Sequence, residues 1–133
     1  MILVDSCVLM DVLGGDPVWA SWSQAQLDIW SERGPLLINP IIYAELAPGY
    51  ADPQALEVAI TIAALDYRDV PKAALFLAGK AHQTYRRRGG GRAGVLADFV
   101  IGAHANILGV PLLTRDAQRF RGYFPGVRLV TPT

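Results

Sequence analysis

The chain has 133 residues, and 52% of them are hydrophobic, which is the size and composition of one compact domain that can bury a substantial core. Its apolar runs fall well short of the ~20 residues needed to cross a bilayer, and its N-terminus lacks the basic region followed by a cleavage site that marks a signal peptide. Cys7 is the only cysteine, which excludes an intrachain disulfide and a thiolate zinc cluster. We therefore expect a single cytoplasmic domain over residues 1–133.

The formal net charge of zero conceals an uneven distribution along the chain. Residues 1–79 carry ten acidic and three basic side chains, whereas residues 80–133 carry two acidic and nine basic ones. A fold can bring such a basic half alongside a polyanion while acidic groups remain available for a metal ion. The alternative is a surface on which the two halves simply neutralise each other.

The order of apolar runs and turn residues predicts strands that alternate with helices. Strands are predicted at 1–4, 36–38, 110–113 and 127–130, with a further short strand within 66–70. Helices are predicted at 7–13, 17–33, 41–47, 53–65, 71–87, 95–108 and 116–120. The helix 95–108 is expected to bury a stripe made of Leu96, Phe99 or Val100, Ala103 and Ile107. This alternation is typical of an α/β fold with a mostly parallel sheet of four or five strands and helices on both faces.

Four acidic residues lie where predicted strands end or where helices return to the same edge of the sheet. Asp5 and Asp116 follow strands, Glu45 lies on the short helix after the second strand, and Asp98 lies in the first turn of the helix 95–108. Ligand sites of open parallel sheets lie outside the carboxyl ends of the strands, so these carboxylates are expected to converge, with Gly102 leaving room beside them. Converging like charges need a cation, and Mg²⁺ or Mn²⁺ prefers carboxylate oxygens. Taken singly, Asp98 and Asp116 could instead cap helices.

Short motifs around these acids resemble the PIN domain family. They are Asp5-Ser6 after an apolar strand, IYAEL around Glu45, ADFVIGAHA around Asp98, and LTRD ending at Asp116. The chain length and the YFP segment at 123–125 are similar to the VapC toxins within that family. The resemblance implies a three-layer PIN-like α/β fold and a Mg²⁺- or Mn²⁺-dependent endoribonuclease, the toxin of a type II toxin–antitoxin pair. It also implies an RNA substrate (tRNA, rRNA or mRNA), inhibition by a VapB-type antitoxin, and a homodimer.

The same resemblance assigns the catalytic and metal-binding roles to the four acids. Asp5, Asp98 and Asp116 would bind the ion directly or through water, and Glu45 would bind a second ion or orient the attacking water. Cys7 departs from the family pattern, since relatives often have Ser or Asn there. We interpret it as a small buried thiol rather than a ligand, because these cations bind thiolates poorly.

Polar and basic residues near the acids are candidates for supporting roles. Ser6 and Thr114 would hydrogen-bond the carboxylates or the scissile phosphate, or they are ordinary cap and turn residues. RNA phosphates would be contacted by arginines of the loop 86–92 and of the segment after the fourth strand, namely Arg86, Arg87, Arg88, Arg92, Arg115, Arg119 and Arg121. The loop arginines could instead be merely solvated or make dimer contacts.

Aromatic residues and histidines in the helices leave further alternatives open. Trp19, Trp22 and Trp30 share roughly one helical face, which packs in the core or forms a groove for an antitoxin segment. His82 and His104 are interpreted as surface or packing residues rather than as catalytic bases.

Other functions also fit an acidic α/β fold. A receiver-like signalling domain would bind Mg²⁺ and be phosphorylated on an aspartate, but it needs a lysine near the last strands, and none follows Lys80. A phosphatase with a nucleophilic aspartate would need a second aspartate where Cys7 stands. The remaining alternative is a PIN-like module that binds RNA or protein without cleavage, against which the four intact acids argue.

Overall fold

The structure is a computed structural model that describes residues 1–92 and 94–132, within which it contains five strands and seven helices. The strands are β1 (Ile2–Val4), β2 (Leu36–Ile38), β3 (Leu65–Tyr67), β4 (Leu112–Leu113) and β5 (Leu129–Val130). The helices are α1 (Ser6–Leu13), α2 (Ala20–Ser31), α3 (Pro40–Leu46), α4 (Pro53–Ile62), α5 (Lys72–Arg87), α6 (Val95–Leu108) and α7 (Gln118–Arg121), with a short 3-10 turn at Ala47–Gly49 after α3.

The five strands form one sheet in the order β3-β2-β1-β4-β5, and every neighbouring pair is parallel. Leu3 of the central strand β1 is in register with Leu37 of β2 and with Leu112 of β4. All three side chains are buried, which is expected of parallel strands covered by helices on their faces. The predicted α/β fold with a parallel sheet is therefore confirmed.

Polar residues cap the first turns of the two helices that follow β1 and β2, so both helices begin at the same edge of the sheet. Asp5 caps α1 through its own side chain, directly after the fully buried β1. Asn39 caps α3 by accepting the Ile42 backbone N–H at 2.9 Å, and Pro40 occupies the first helical position, where its missing N–H costs no hydrogen bond. The carboxyl ends of β1 and β2 thus lead directly into α1, which Asp5 caps, and α3, which carries Glu45.

The helix α6 is buried on more sides than the sequence interpretation allowed. The predicted stripe is right at Phe99, Val100 and Ala103, but wrong at Leu96 and Ile107, which are 46% and 43% exposed. Residues 98–105 are all buried, because α6 packs against α5, α3 and α7 and not against one neighbour alone. Although it is this apolar, neither α6 nor any other described helix is both long and apolar enough to span a membrane.

Several predicted boundaries differ from the structure, two of them for a clear local reason, and one predicted cavity is filled. The helix α4 ends at Ile62 and not at residue 65, because Ala64 takes a left-handed conformation (φ 54°) that turns the chain so that Leu65 begins β3. The helix α2 begins at Ala20, because Asp16 uses its side chain to cap the preceding turn. The space beside Gly102 belongs to the Phe124 ring, which a Cβ at this position would meet at 2.5 Å, and not to a metal site.

Candidate active site

All four acids predicted from the sequence are carried to the carboxyl edge of the sheet. Asp5 follows β1, Glu45 lies on α3, Asp98 lies in the first turn of α6, and Asp116 follows β4. Besides burial, the negative charge of Asp5 raises the pKa of both Asp98 and Glu45, and the charge of Asp98 also raises the pKa of Glu45. The four elements therefore gather their carboxylates into one acidic site.

The Asp5 carboxylate is held in place by three donors. The Ser6 backbone N–H donates to Oδ1 at 2.8 Å, and Thr114 Oγ1 donates to Oδ2 at 2.7 Å. The Cys7 thiol lies 3.5 Å from Oδ2 as a weaker donor. Because Asp5 is only 2% exposed, these contacts supply the hydrogen bonds that water would otherwise make.

Two hydroxyl groups connect the acids to one another. Ser6 Oγ donates to Glu45 Oε1 at 3.0 Å, which links α1 to α3. Thr114 donates to Asp5 and also accepts the Asp116 backbone N–H at 3.1 Å. The two supporting residues predicted from the sequence thus contact the carboxylates or the loop that carries them.

Arg119, on the short helix α7, bridges the remaining two acids. Its Nη1 donates to Asp98 Oδ1 at 3.0 Å, and its Nε donates to Asp116 Oδ2 at 2.7 Å. Neither acid is the N-cap of a helix, since Ala117 occupies that position in α7 and Gly94 in α6. The capping alternative does not explain these acids.

The site holds more negative charge than Arg119 offsets. Burial raises the pKa of Glu45, and the charges of Asp5 and Asp98 raise it further. Burial also raises the pKa of Asp98, although the nearby Arg119 guanidinium lowers it in part. Carboxylates whose charged form is destabilised in this way attract an additional cation.

The donor chemistry of the site fits a hard divalent cation. Carboxylate oxygens are the ligands that Mg²⁺ and Mn²⁺ prefer. Within residues 1–92 and 94–132, however, no three Asp, Glu, His or Cys side chains are arranged so as to hold a metal ion as they stand. Asp98 and Asp116 instead accept hydrogen bonds from Arg119, so the guanidinium takes the place of a metal ion between them.

The Cys7 thiol is protonated at neutral pH. Burial, followed by the charge of Asp5, raises its pKa to about 11. A protonated thiol beside Asp5 and Thr114 is a small packing group and a weak donor, although Cys7 is half-buried and not fully buried as predicted.

Asp11, in α1, is a buried acid that the sequence interpretation missed. Arg115 Nε donates to its Oδ2 at 2.6 Å and Arg115 Nη2 to its Oδ1 at 2.9 Å, while Ser23 Oγ donates to Oδ2 at 2.7 Å. The Arg115 guanidinium also lies 5.2 Å from the centroid of the Trp19 ring. A lone aspartate in the apolar helix SCVLMDVL was the available signal, because a buried charge must find a partner. The RNA assignment of Arg115 overlooked this ion pair.

The basic loop begins at the last turn of α5 and reaches the acidic site. Arg86, Arg87, Arg88 and Arg92 are all exposed. The Arg88 guanidinium lies 5.6 Å from the centroid of the Tyr123 ring, and the charge of Arg92 acts on Asp98. The loop therefore approaches the acidic site next to Asp98.

The tryptophans are divided between the core and its margin. Trp30 is buried at 7% exposure, whereas Trp19 and Trp22 are half-buried and meet edge to face with ring centroids 6.3 Å apart. Trp19 lies just before α2 and not within it. Packing accounts for most of this face.

His104 is a packing residue that links two of the acid-bearing helices. Asn39 Oδ1 accepts the Ile42 N–H, so Asn39 Nδ2 donates to His104 Nδ1 at 3.1 Å, and the ring proton is left on Nε2. Nε2 has no hydrogen-bond partner among the described residues, and burial lowers the pKa of this histidine. His82 packs against Tyr85 and Phe99.

Solved structures with the same fold include VapBC proteins and a toxin–antitoxin complex. VapBC2 from Rickettsia felis, bound to a DNA fragment from its promoter, has 18% identity and a TM-score of 0.76, with 100% of both chains covered. A toxin–antitoxin complex from Klebsiella pneumoniae has 21% identity and a TM-score of 0.73, covering 100% of this chain and 98% of the other. VapBC-1 from nontypeable Haemophilus influenzae has 18% identity and a TM-score of 0.73, covering 98% of each chain. At these identities the similarity establishes the fold.

Sequence comparison provides the family. No curated protein sequence matches this chain. The profile of the PIN domain matches residues 2–123, which is most of the chain and includes all four acids. The chain therefore belongs to the PIN domain family.

Proposed function

We propose that this chain is a Mg²⁺- or Mn²⁺-dependent endoribonuclease and the toxin of a type II toxin–antitoxin pair in the cytoplasm. The observation that carries the proposal is the convergence of Asp5, Glu45, Asp98 and Asp116 at one sheet edge, with only partial compensation by Arg119. Membership of the PIN domain family supports it, because PIN domains of the VapC type are in general nucleases.

The four acids would hold the metal ion, which when bound polarises a phosphate and lowers the pKa of a water molecule. Asp5, fixed by Ser6 and Thr114, would provide the most rigid oxygens of the set. Glu45 is half-buried and has a raised pKa, which suits a group that orients a water molecule and accepts its proton.

Arginines around the site would bind the RNA backbone. Arg86, Arg87 and Arg88 are exposed along the loop that approaches Asp98, and Arg92 lines the pocket beside it. Two N–H groups of Arg115, on Nε and Nη2, already donate to Asp11, so a phosphate contact from Arg115 would have to use its remaining N–H groups.

An antitoxin of the VapB type is the proposed inhibitor. An open pocket of about 370 Å³ lies beside Glu45 and is lined by Met10, Leu13, Leu46 and Tyr50. Met10 and Leu13 are 45% and 42% exposed, which suits apolar side chains of a partner segment laid next to the acids. The solved neighbours named VapBC are complexes of this kind, and a homodimer is proposed from the same similarity.

Cleavage of RNA tests the proposal directly. Purified protein is incubated with total RNA and either Mn²⁺ or EDTA, and the cut ends are mapped; we expect cleavage with Mn²⁺ only. Asp98→Asn should lower the rate by at least about 100-fold, because several kcal/mol of charge stabilisation at the metal are lost. Asp66→Asn is the matched control, since Asp66 lies in a half-exposed ion pair with Arg68 on β3.

Thermal denaturation of both variants ensures that a loss of activity is not a loss of folding. Cleavage that survives in EDTA or in Asp98→Asn would contradict the proposed metal site. RNA binding without cleavage by the unaltered chain would instead favour the non-catalytic alternative. A receiver-like function is not supported by membership of the PIN domain family.

A further inference from the structure

A small pocket opens directly beside two of the four acids. Its volume is about 210 Å³, and its lining includes the charged residues Asp98, Asp116 and Arg119 and the aromatic residues Tyr85 and Tyr123. Pockets that enclose drug-sized ligands measure ~300–1,000 Å³, so this one is suited to a single flat ring system rather than to a larger molecule.

The aromatic wall of the pocket consists of two tyrosines supported by a phenylalanine. Phe99 is 2% exposed and lies 5.7 Å from the Tyr85 ring and 4.9 Å from the Tyr123 ring, centroid to centroid. The two tyrosines are half-buried, and their rings meet at 68° with centroids 6.2 Å apart. Edge-to-face packing of this kind holds the rings firmly while both still border the pocket.

The basic loop is anchored on the same wall. The Arg92 backbone N–H donates to Tyr85 Oη at 3.1 Å. Gly90 packs so closely on Tyr85 that a Cβ there would lie 2.4 Å from the ring. The Arg88 guanidinium covers part of the Tyr123 ring. The aromatic rings and the cationic groups of the loop therefore form one continuous surface.

We propose that this pocket receives one unpaired base of the RNA, next to the phosphate that is cut, and that the Tyr123 ring stacks on that base while Tyr85, inclined at 68° to Tyr123, borders its edge. Proteins that bind single-stranded nucleic acid combine a cationic track for phosphates with aromatic rings for bases, and both are present here. The inference rests on the proposed nuclease function, because it locates the scissile phosphate at Asp98 and Asp116. It assigns substrate binding to two residues outside the acidic set.

Fluorescence of a base analogue tests the pocket. A trinucleotide with 2-aminopurine between two uridines, labelled with a dye at one end, is titrated with the protein in EDTA, so that it is not cut. Stacking on tyrosine quenches 2-aminopurine, while the anisotropy of the dye reports binding. We expect quenching with the unaltered chain and with Tyr123→Phe, which keeps the ring. Tyr123→Leu should weaken binding about tenfold and abolish the quenching, as expected for the loss of a stacked base.

Tyr67→Leu is the matched control, because Tyr67 is a 47% exposed tyrosine on the edge strand β3. It should bind and quench as the unaltered chain does. An abasic nucleotide in place of 2-aminopurine should weaken binding to the unaltered chain about tenfold and to Tyr123→Leu much less, which probes the pocket without relying on the folding of a variant.

The outcomes separate this inference from the proposed function. If RNA is cleaved but neither quenching nor the abasic penalty depends on Tyr123, the base pocket is wrong and the nuclease remains. If quenching depends on Tyr123 but no RNA is cleaved with Mn²⁺, the base pocket stands and the nuclease is wrong. If the unaltered chain does not bind the trinucleotide at all, the base pocket is refuted.

Discussion

Arg115 and Arg119 lie four residues apart and each pairs with aspartate, yet the two sites have opposite electrostatic balance. Arg115 meets one acid, Asp11, whose oxygens are further satisfied by Ser23. Arg119 meets two acids and lies beside Asp5 as well. We call the first site closed, because one arginine balances one acid and its oxygens have hydrogen-bond partners. We call the second site open, because it carries an excess of negative charge. A buried ion pair by itself is thus a structural feature, and the unbalanced one indicates a site for a cation.

Breaking the closed pair should have the largest effect on stability. We expect Arg115→Gln to lower the free energy of unfolding by about 2–3 kcal/mol, because Asp11 would remain buried without its cation. The value is below the ~3–5 kcal/mol of fully buried pairs, since the Arg115 side chain is 28% exposed. Urea denaturation measures the change.

The half-exposed pair between Arg68 and Asp66 provides the matched control for this prediction. Arg68→Gln should cost no more than about 1 kcal/mol, as is usual for pairs in contact with solvent. Equal costs for the two variants would show that Asp11 and Arg115 do not form a special structural contact.

Removing the arginine of the open site should act on metal affinity more than on stability. Arg119→Gln takes away a cation that donates to Asp98 and Asp116, so we expect Mn²⁺ to bind about tenfold more tightly, which corresponds to one charge-assisted hydrogen bond. Isothermal titration calorimetry with MnCl₂ measures this without any reaction. Arg121→Gln, an exposed position on the same helix, should leave the affinity unchanged. Weaker binding to Arg119→Gln would mean that Arg119 orients the acids and does not compete with the ion.

The smallest expected effect is a pH dependence of stability. The pKa of Glu45 is raised in the folded chain, so the folded state holds this proton more tightly than the unfolded state does. Stability is therefore lost as the pH rises from the ordinary glutamate range through the raised pKa. Without divalent metal, Glu45→Gln should gain a few degrees in melting temperature over the unaltered chain at pH 7.5, and less at pH 4.5. An equal difference at both pH values would contradict the prediction.

The parts of the fold predicted from the sequence are those in which local chemistry and tertiary packing agree. An apolar strand ending in Asp5, and the Asn39-Pro40 start of α3, predicted elements whose ends position the acids. The burial of α6 could not be obtained from a single stripe, because α6 has neighbours on several sides. Leu65 fits the end of a helix and the start of a strand equally well, and only the turn at Ala64 decides between them.

Within the candidate site, the sequence predicted that the four acids lie at one edge of the sheet, but it did not predict which arginine pairs with which acid. Asp5 and Asp116 follow strand ends, and Glu45 and Asp98 lie on helices that run next to the same edge of the sheet, an arrangement that the order of elements along the chain predicts. The partner of each arginine is decided by tertiary contacts between distant parts of the chain, since Asp11 and Arg115 are 104 residues apart. The pocket proposed to bind a base could not be predicted either, because Tyr85 and Tyr123 meet only after α5 and the segment following α7 come together.

The contact between Asn39 and His104 limits how far the thermal stability of this protein can be raised by mutation. The buried Nε2–H of His104 has no partner among the described residues, and such a group costs roughly 1–3 kcal/mol, so an apolar replacement would be an obvious way to increase thermal robustness. That replacement would also release the amide that ties the start of the helix bearing Glu45 to the helix bearing Asp98. Because Asn39 is fully buried, its freed Nδ2 would in turn lack a partner. An apolar residue at position 104 would therefore gain little thermal stability, and it would lose the link between the two helices that carry proposed metal ligands.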